Sequence, residues 1–223
     1  MLSLVLGSST HAFELMLSAF ILGLALGGLW IERRIEVITE PQRYLAFIQV
    51  AMGILAVATL PLYGSTFGLM AWLLRHLPAS GTGYVLFNLA SHGIALLIML
   101  PAAFCAGITL PLITTTLLRL GTGERSIGAV YGFNTIGAIL GIFLAVHLAM
   151  PVLGLKGMII LGAGIDIALG LGLAWWSFPS GSRPLAYTAA GLLALLLPTF
   201  GLSLDPDRMA SGVYRYGSLL DSF

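Results

Sequence analysis

The chain has 223 residues, of which 58% are hydrophobic and 9% charged, whereas soluble domains carry roughly a quarter charged residues. That composition excludes an ordinary soluble domain and points to an all-α, polytopic integral membrane protein. A formal net charge of +1 supplies no basic stripe to neutralise phosphates, which argues against a nucleic-acid partner. A lone cysteine, Cys105, permits no internal disulfide and no cysteine-based metal site.

Met1 to Thr10 is short and uncharged, without the charged start of a signal peptide, so the first apolar run is expected to be retained. That run, Ala12 to Ile31, is the first span, with Gly23, Gly27 and Gly28 giving it a close-packing face. Glu14 and His11 lie one turn apart at its start. They either snorkel at the membrane surface, the plainer reading, or point into the bundle. Glu32-Arg33-Arg34 through Glu40 and Arg43 is the most charged stretch, is broken by Pro41, and reads as a cytoplasmic loop.

A second span is expected over Tyr44 to Leu60, ending at Pro61 and a glycine-containing turn. Phe67 to Leu77, closed by Arg75 and His76, is too short to cross and suits the interface. Tyr84 to Leu118 is longer than one crossing and contains Pro101 and Pro111. Without a polar turn it reads as one long or broken helix, with Asn88 and His92 as packing partners. A break at depth must be covered by protein or a cavity, so the stretch around Gly107, Thr109 and Pro111 is expected to be buried. Arg119 to Ser126 forms a second charged loop.

Ile127 to Val152, IGAVYGFNTIGAILGIFLAVHLAMPV, is the span around which the bundle is expected to be organised, with Ala12 to Ile31 packed through its glycines. Gly128/Gly132 and Gly137/Gly141 repeat at small-xxx-small spacing, and Asn134 and Thr135 sit between the pairs. An amide in hydrocarbon is costly unless bonded, so Asn134 is expected to face protein or a wet cavity, as inter-helix glue or as a ligand contact. Pro151 and Gly154 end the helix. Lys156 begins a tight turn into Met158 to Trp176, where Asp166 is the lone acid and Trp175 and Trp176 mark an interface belt. Asp166 is either a functional group or a hydrogen-bonded structural one. Ser180 to Arg183 is a polar turn, Pro184 to Leu202 the last span, and the tail is too short for a domain.

The reading thus gives about six transmembrane helices over residues 1–204 and a polar tail over 205–223. Arg33, Arg34, Arg43, Arg119, Arg125 and Arg183 fall on one side, against Arg75, Lys156, Arg208 and Arg215 on the other. The positive-inside rule makes the first set cytoplasmic and leaves the N-terminus and the tail outside. His11, His92 and His147 are separated by whole helices, so no metal, haem or other cofactor is expected. No catalytic residue stands out either. The candidate polar packing or binding positions are Glu14, Thr109, Asn134, Thr135 and Asp166.

The runs SLVLGSSTHAFELMLSAFILGLALGGLWIERR, AGITLPLITTTLLR and IGAVYGFNTIGAILGIFLAVHLAMPVLGLKG resemble the membrane half of fused, polytopic spermidine synthase-like proteins of bacteria. DPDRMASGVYRYG resembles their junction to a soluble aminopropyltransferase-like domain. That membrane half is itself similar to half of a major facilitator transporter, in which Gly27-Gly28 and Glu32-Arg33-Arg34 look like the loop after the second helix. By this resemblance the chain lacks the family's first helix and its catalytic half. It has no glycine-rich nucleotide loop after a strand. The resemblance implies a non-catalytic module in a bacterial inner membrane, in contact with lipids and with other membrane subunits or a separate or missing soluble domain. Two alternatives stay open: a transporter-like half for a small, cationic solute acting through Glu14, Asn134 and Asp166, or the membrane part of a polyamine aminopropyltransferase.

Overall fold

The computed structural model describes residues 2–7, 9–78, 80–178 and 183–201. The tail and most of the turn at 180–183 lie outside them. In chain order the helices are α1 (Leu2–Leu6), α2 (Thr10–Glu32), α3 (Pro41–His76), α4 (Gly81–Arg119), α5 (Arg125–Leu144), a π-helical segment (Ala145–Ala149), α6 (Met150–Ser177) and α7 (Arg183–Gly201). Among the described residues there is no strand. The helix starts follow local chemistry. The Ser9 and Ser80 hydroxyls accept from the backbone N–H of Ala12 and Gly83, and Pro41 opens α3 where its missing N–H has no bond to lose.

Four helical runs are long and apolar enough to cross a membrane: Thr10–Glu32, Pro41–His76, Gly81–Arg119 and Arg125–Ser177. Leu185–Gly201 is a shorter apolar helix. The last long run divides at Gly154, whose φ of 66° and ψ of −174° leave the helical region, so the expected break there stands. The preceding π segment was not foreseen. Pro151 has no N–H for the His147 carbonyl, and one turn widens so that Met150 N–H bonds to the carbonyl of Ala145 instead.

Two expectations are corrected. The span Tyr44–Leu60 and the interfacial stretch Phe67–Leu77 are one continuous 36-residue helix, α3. Pro61 removes a single hydrogen bond without ending the helix, and beside the freed carbonyl the Thr59 hydroxyl donates to Ala56 O at 2.6 Å. For Tyr84–Leu118, expected as one long or broken helix, the first alternative holds: α4 runs unbroken through Pro101 and Pro111. Around its second proline Ile108 and Leu112 are fully buried, while Gly107, Thr109 and Pro111 are half-buried.

The second correction concerns α5. It is peripheral rather than central: every residue from Tyr131 to Leu144 is exposed, and a methyl added at Gly128, Gly132, Gly137 or Gly141 would meet nothing within 4 Å. The glycine face of α2 packs on α4 instead. A Cβ at Gly23 would lie 2.6 Å from Ala103 Cβ, one at Gly27 2.1 Å from the Phe104 carbonyl, and one at Gly107 2.2 Å from the Leu24 carbonyl. These backbones touch because no side chain stands between them. The two helices run parallel, since His11 meets Asn88 at one end and Gly27 meets Gly107 further along.

α3 is the mast of the bundle. It carries α6 in antiparallel contact, with Gly53 against Ala163 and Ile167, and Val50 against Gly170; α7 adds Gly191 against Ile167. Ile31, Leu45, Ile48, Ile108 and Leu112 form one buried cluster between α2, α3 and α4. A second, with Leu2, Val5, Tyr63, Phe67, Met70 and Ile94, lies where α1 covers the far half of α3. One end of the bundle gathers arginines. Arg119 donates to the carbonyls of Ile35 and Ile38, Arg43 to Ser177 O at 3.1 Å and to Glu40, and Arg34 stacks on Trp30.

Candidate functional site

The five candidate positions do not converge. Glu14 sits at the exposed start of α2, its carboxylate 3.8 Å from His11 Nδ1, and His11 Nε2 bonds Asn88 Oδ1 at 3.0 Å. This His11–Glu14–Asn88 group ties α2 to α4 at the end opposite Arg119. Thr109 is spent on its own helix, donating to Ala106 O at 2.7 Å, as is Thr135 on Tyr131 O at 2.9 Å. Threonine hydroxyls that bond back one turn satisfy themselves and offer little to a ligand.

Asn134 is different. It is exposed on α5 and has no hydrogen-bond partner among the described residues. At about 100° per residue, Gly137, Ala138 and Gly141 fall within about 60° of it, whereas Gly128, Gly132 and Thr135 lie about 100° or more away. The two glycine pairs therefore mark different faces, and Asn134 belongs to the second. His147, further along, donates from Nδ1 to Phe143 O at 3.1 Å and stacks on Phe143.

Asp166 is half-buried on α6 and makes no ion pair among the described residues. The contacts of Gly53 with Ala163 and Ile167, and of Val50 with Gly170, put Asp166 within about one turn of the level of Gln49. Gln49 Oε1 is buried without a hydrogen-bond partner. The sequence reading missed this residue, although a lone amide inside the apolar run Tyr44–Leu60 carries the same signal as Asn134. Asp166 and Gln49 are thus polar groups on neighbouring turns of two packed helices, and the orphaned Gln49 oxygen can accept a hydrogen bond from a small polar guest. Among the described residues no three histidine, cysteine, aspartate or glutamate side chains are grouped to hold a metal.

Two of the clefts among the described residues are walled mainly by apolar side chains. One, of about 380 Å³, lies between α3 and α7 and is apolar; the other, at the α3–α4 turn, is lined by Leu74, Leu77, Tyr84 and Phe87. Compared with family models, with curated proteins and with solved structures, the chain finds no match.

Proposed function

We propose that this chain is a non-catalytic integral membrane module of a bacterial inner membrane that packs against a larger membrane assembly through α5. The observation that carries this reading is the Asn134 face. An unpartnered amide in hydrocarbon is unfavourable, and the open Gly137/Gly141 pair beside it is the surface onto which another helix packs closely. Within this reading α2, α3, α4, α5, α6 and α7 each cross once. The resemblance to the membrane half of spermidine synthase-like proteins, and through it to half of a major facilitator transporter, belongs to the same proposal. The partner on this face is then another membrane subunit.

Asn134→Leu is the test. It lowers assembly by about 1 kcal/mol, the order of a membrane hydrogen bond, read as the mass of the complex extracted in mild detergent, and it leaves no substrate-dependent phenotype. An unchanged complex argues against the reading. So does a purified chain that forms spermidine from added precursors.

A second reading, a transporter-like half for a small cationic solute, is favoured by one observation, the Gln49–Asp166 level of the α3–α6 interface. A midplane site needs two repeats, so this reading requires a second copy or half. Under it, Asp166→Asn abolishes polyamine uptake into liposomes while the fold survives; under the first reading wild type and variant both lack uptake.

A further inference from the structure

The open face of α5 has a period that says how another helix meets it. Ile127, Asn134 and Gly141 recur every seven residues, a spacing that drifts by only about 20° per repeat. Val130 and Tyr131 fall between the first two, and Gly137 and Ala138 between the last two, so the face has the layout of a two-heptad seam. At the start of α5, which touches α4, Ile127 and Val130 are half-buried. Beyond them the seam is exposed from Tyr131 to Leu144. A seven-residue seam suits a partner helix crossing at about 20°, the common geometry of membrane bundles.

Asn134 says which helix that is. It lies nine residues after Arg125, the first residue of α5, so it sits about 14 Å into a hydrocarbon core of about 30 Å. Its partner must therefore bring a hydrogen-bonding group to mid-depth, on the side that meets Gly137 and Gly141. A second copy of the chain does so by symmetry, because a two-fold axis along the membrane normal sets each residue at the depth of its counterpart. An amide is also complementary to itself: its NH2 donates and its carbonyl accepts, so two of them exchange two hydrogen bonds. In parallel coiled coils a single asparagine at the first position of the heptad sets register and strand number in this way.

Nothing on the face opposes a like partner. From Ser126 to Leu155 the sequence has no aspartate, glutamate, lysine or arginine, so two copies meet there without charge repulsion. His147, thirteen residues beyond Asn134, lies about 140° around the helix from it. A methyl group at Gly137 or Gly141 meets nothing within 4 Å, which leaves room for a helix backbone to come close.

We propose that the subunit on the Asn134 face is a second copy of this chain, with α5 parallel to α5 and the two Asn134 amides bonded to each other across a two-fold axis. The proposal rests on the reading of α5 as a docking helix and names its partner.

The test joins two tagged forms of the full chain in one cell. One carries a small diazirine amino acid in place of Ala138, the other is wild type at that position, and native membranes are irradiated. The expected product is an adduct of twice the chain's mass that carries both tags. Asn134→Leu in both forms lowers its yield about fivefold, the effect of one hydrogen bond inside a membrane. Two wild-type chains with different tags also copurify in mild detergent, a measurement that needs no substitution on the face. A protein adduct without the second tag overturns the proposal and leaves the docking role of α5 standing; lipid adducts alone overturn both. An undiminished double-tagged adduct in Asn134→Leu, or the same adduct from a diazirine at Ile136, also overturns the proposal.

Discussion

At Gly27 a methyl group would lie 2.1 Å from the Phe104 carbonyl oxygen, a backbone atom that cannot swing aside. Gly27→Ala therefore forces α2 and α4 apart and is expected to cost about 1–3 kcal/mol, as overpacking does. A lower midpoint of thermal unfolding in detergent reads this directly. Gly137→Ala, with nothing within 4 Å, leaves the melting of the isolated chain unchanged and acts only on assembly. Equal loss of melting temperature in both variants would contradict the packing described. The same contrast explains what the sequence could tell. Small-xxx-small spacing says that a helix can be approached closely. Whether the approaching helix belongs to the same chain is a tertiary fact. Gly23 and Gly27 found their partner in α4, while Gly137 and Gly141 found none within the chain. Thr109 and Thr135 looked like candidate contacts only because a hydroxyl's bond to its own preceding turn is invisible in sequence.

At the scale of helices, the residues that end an element were legible only where backbone geometry left no choice. Gly154 adopts a φ and ψ that glycine alone tolerates, and its place after Pro151 was readable as a break. Gly154→Ala is expected to cost about 1–3 kcal/mol of strain and to show as reduced protease resistance between α5 and α6. Unaltered resistance and melting would mean that the break is not strained. Pro61 was misread because a proline costs one hydrogen bond and a local clash, which a long apolar helix absorbs when its packing on both sides continues. Here Leu60 and Tyr63, on either side of Pro61, are both fully buried, so α3 keeps its neighbours through the proline. The consequence is a helix of about 54 Å, well beyond the roughly 30 Å of hydrocarbon, and its far half packs with α1 and the start of α4.

Over the whole molecule, the arginine-rich end is built by contacts among segments distant in sequence. Arg119 reaches the loop at Ile35 and Ile38, and Arg43 reaches Ser177. Lys156 lies on α6, 21 residues before Ser177 and so about 30 Å away, toward the other end. A cysteine at Arg34, in a chain whose buried Cys105 is replaced by alanine, is predicted to react with a permeant maleimide and to be shielded from an impermeant one in intact cells; labelling by both reverses the orientation. The membrane class and the helices were legible because apolar length is a local property. The bundle's organisation was not, since the run Ile127–Val152 has the strongest local pattern and yet no buried residue.

The account turns on that run docking onto something beyond the chain. A photoreactive amino acid placed at Ala138, on the Asn134 face of α5, and separately at Ile136, on its far side, measures this in native membranes. The account predicts a discrete protein adduct from position 138 that Asn134→Leu diminishes, with only lipid adducts from position 136. Lipid adducts alone from both positions, or the same protein adducts from both, would contradict it.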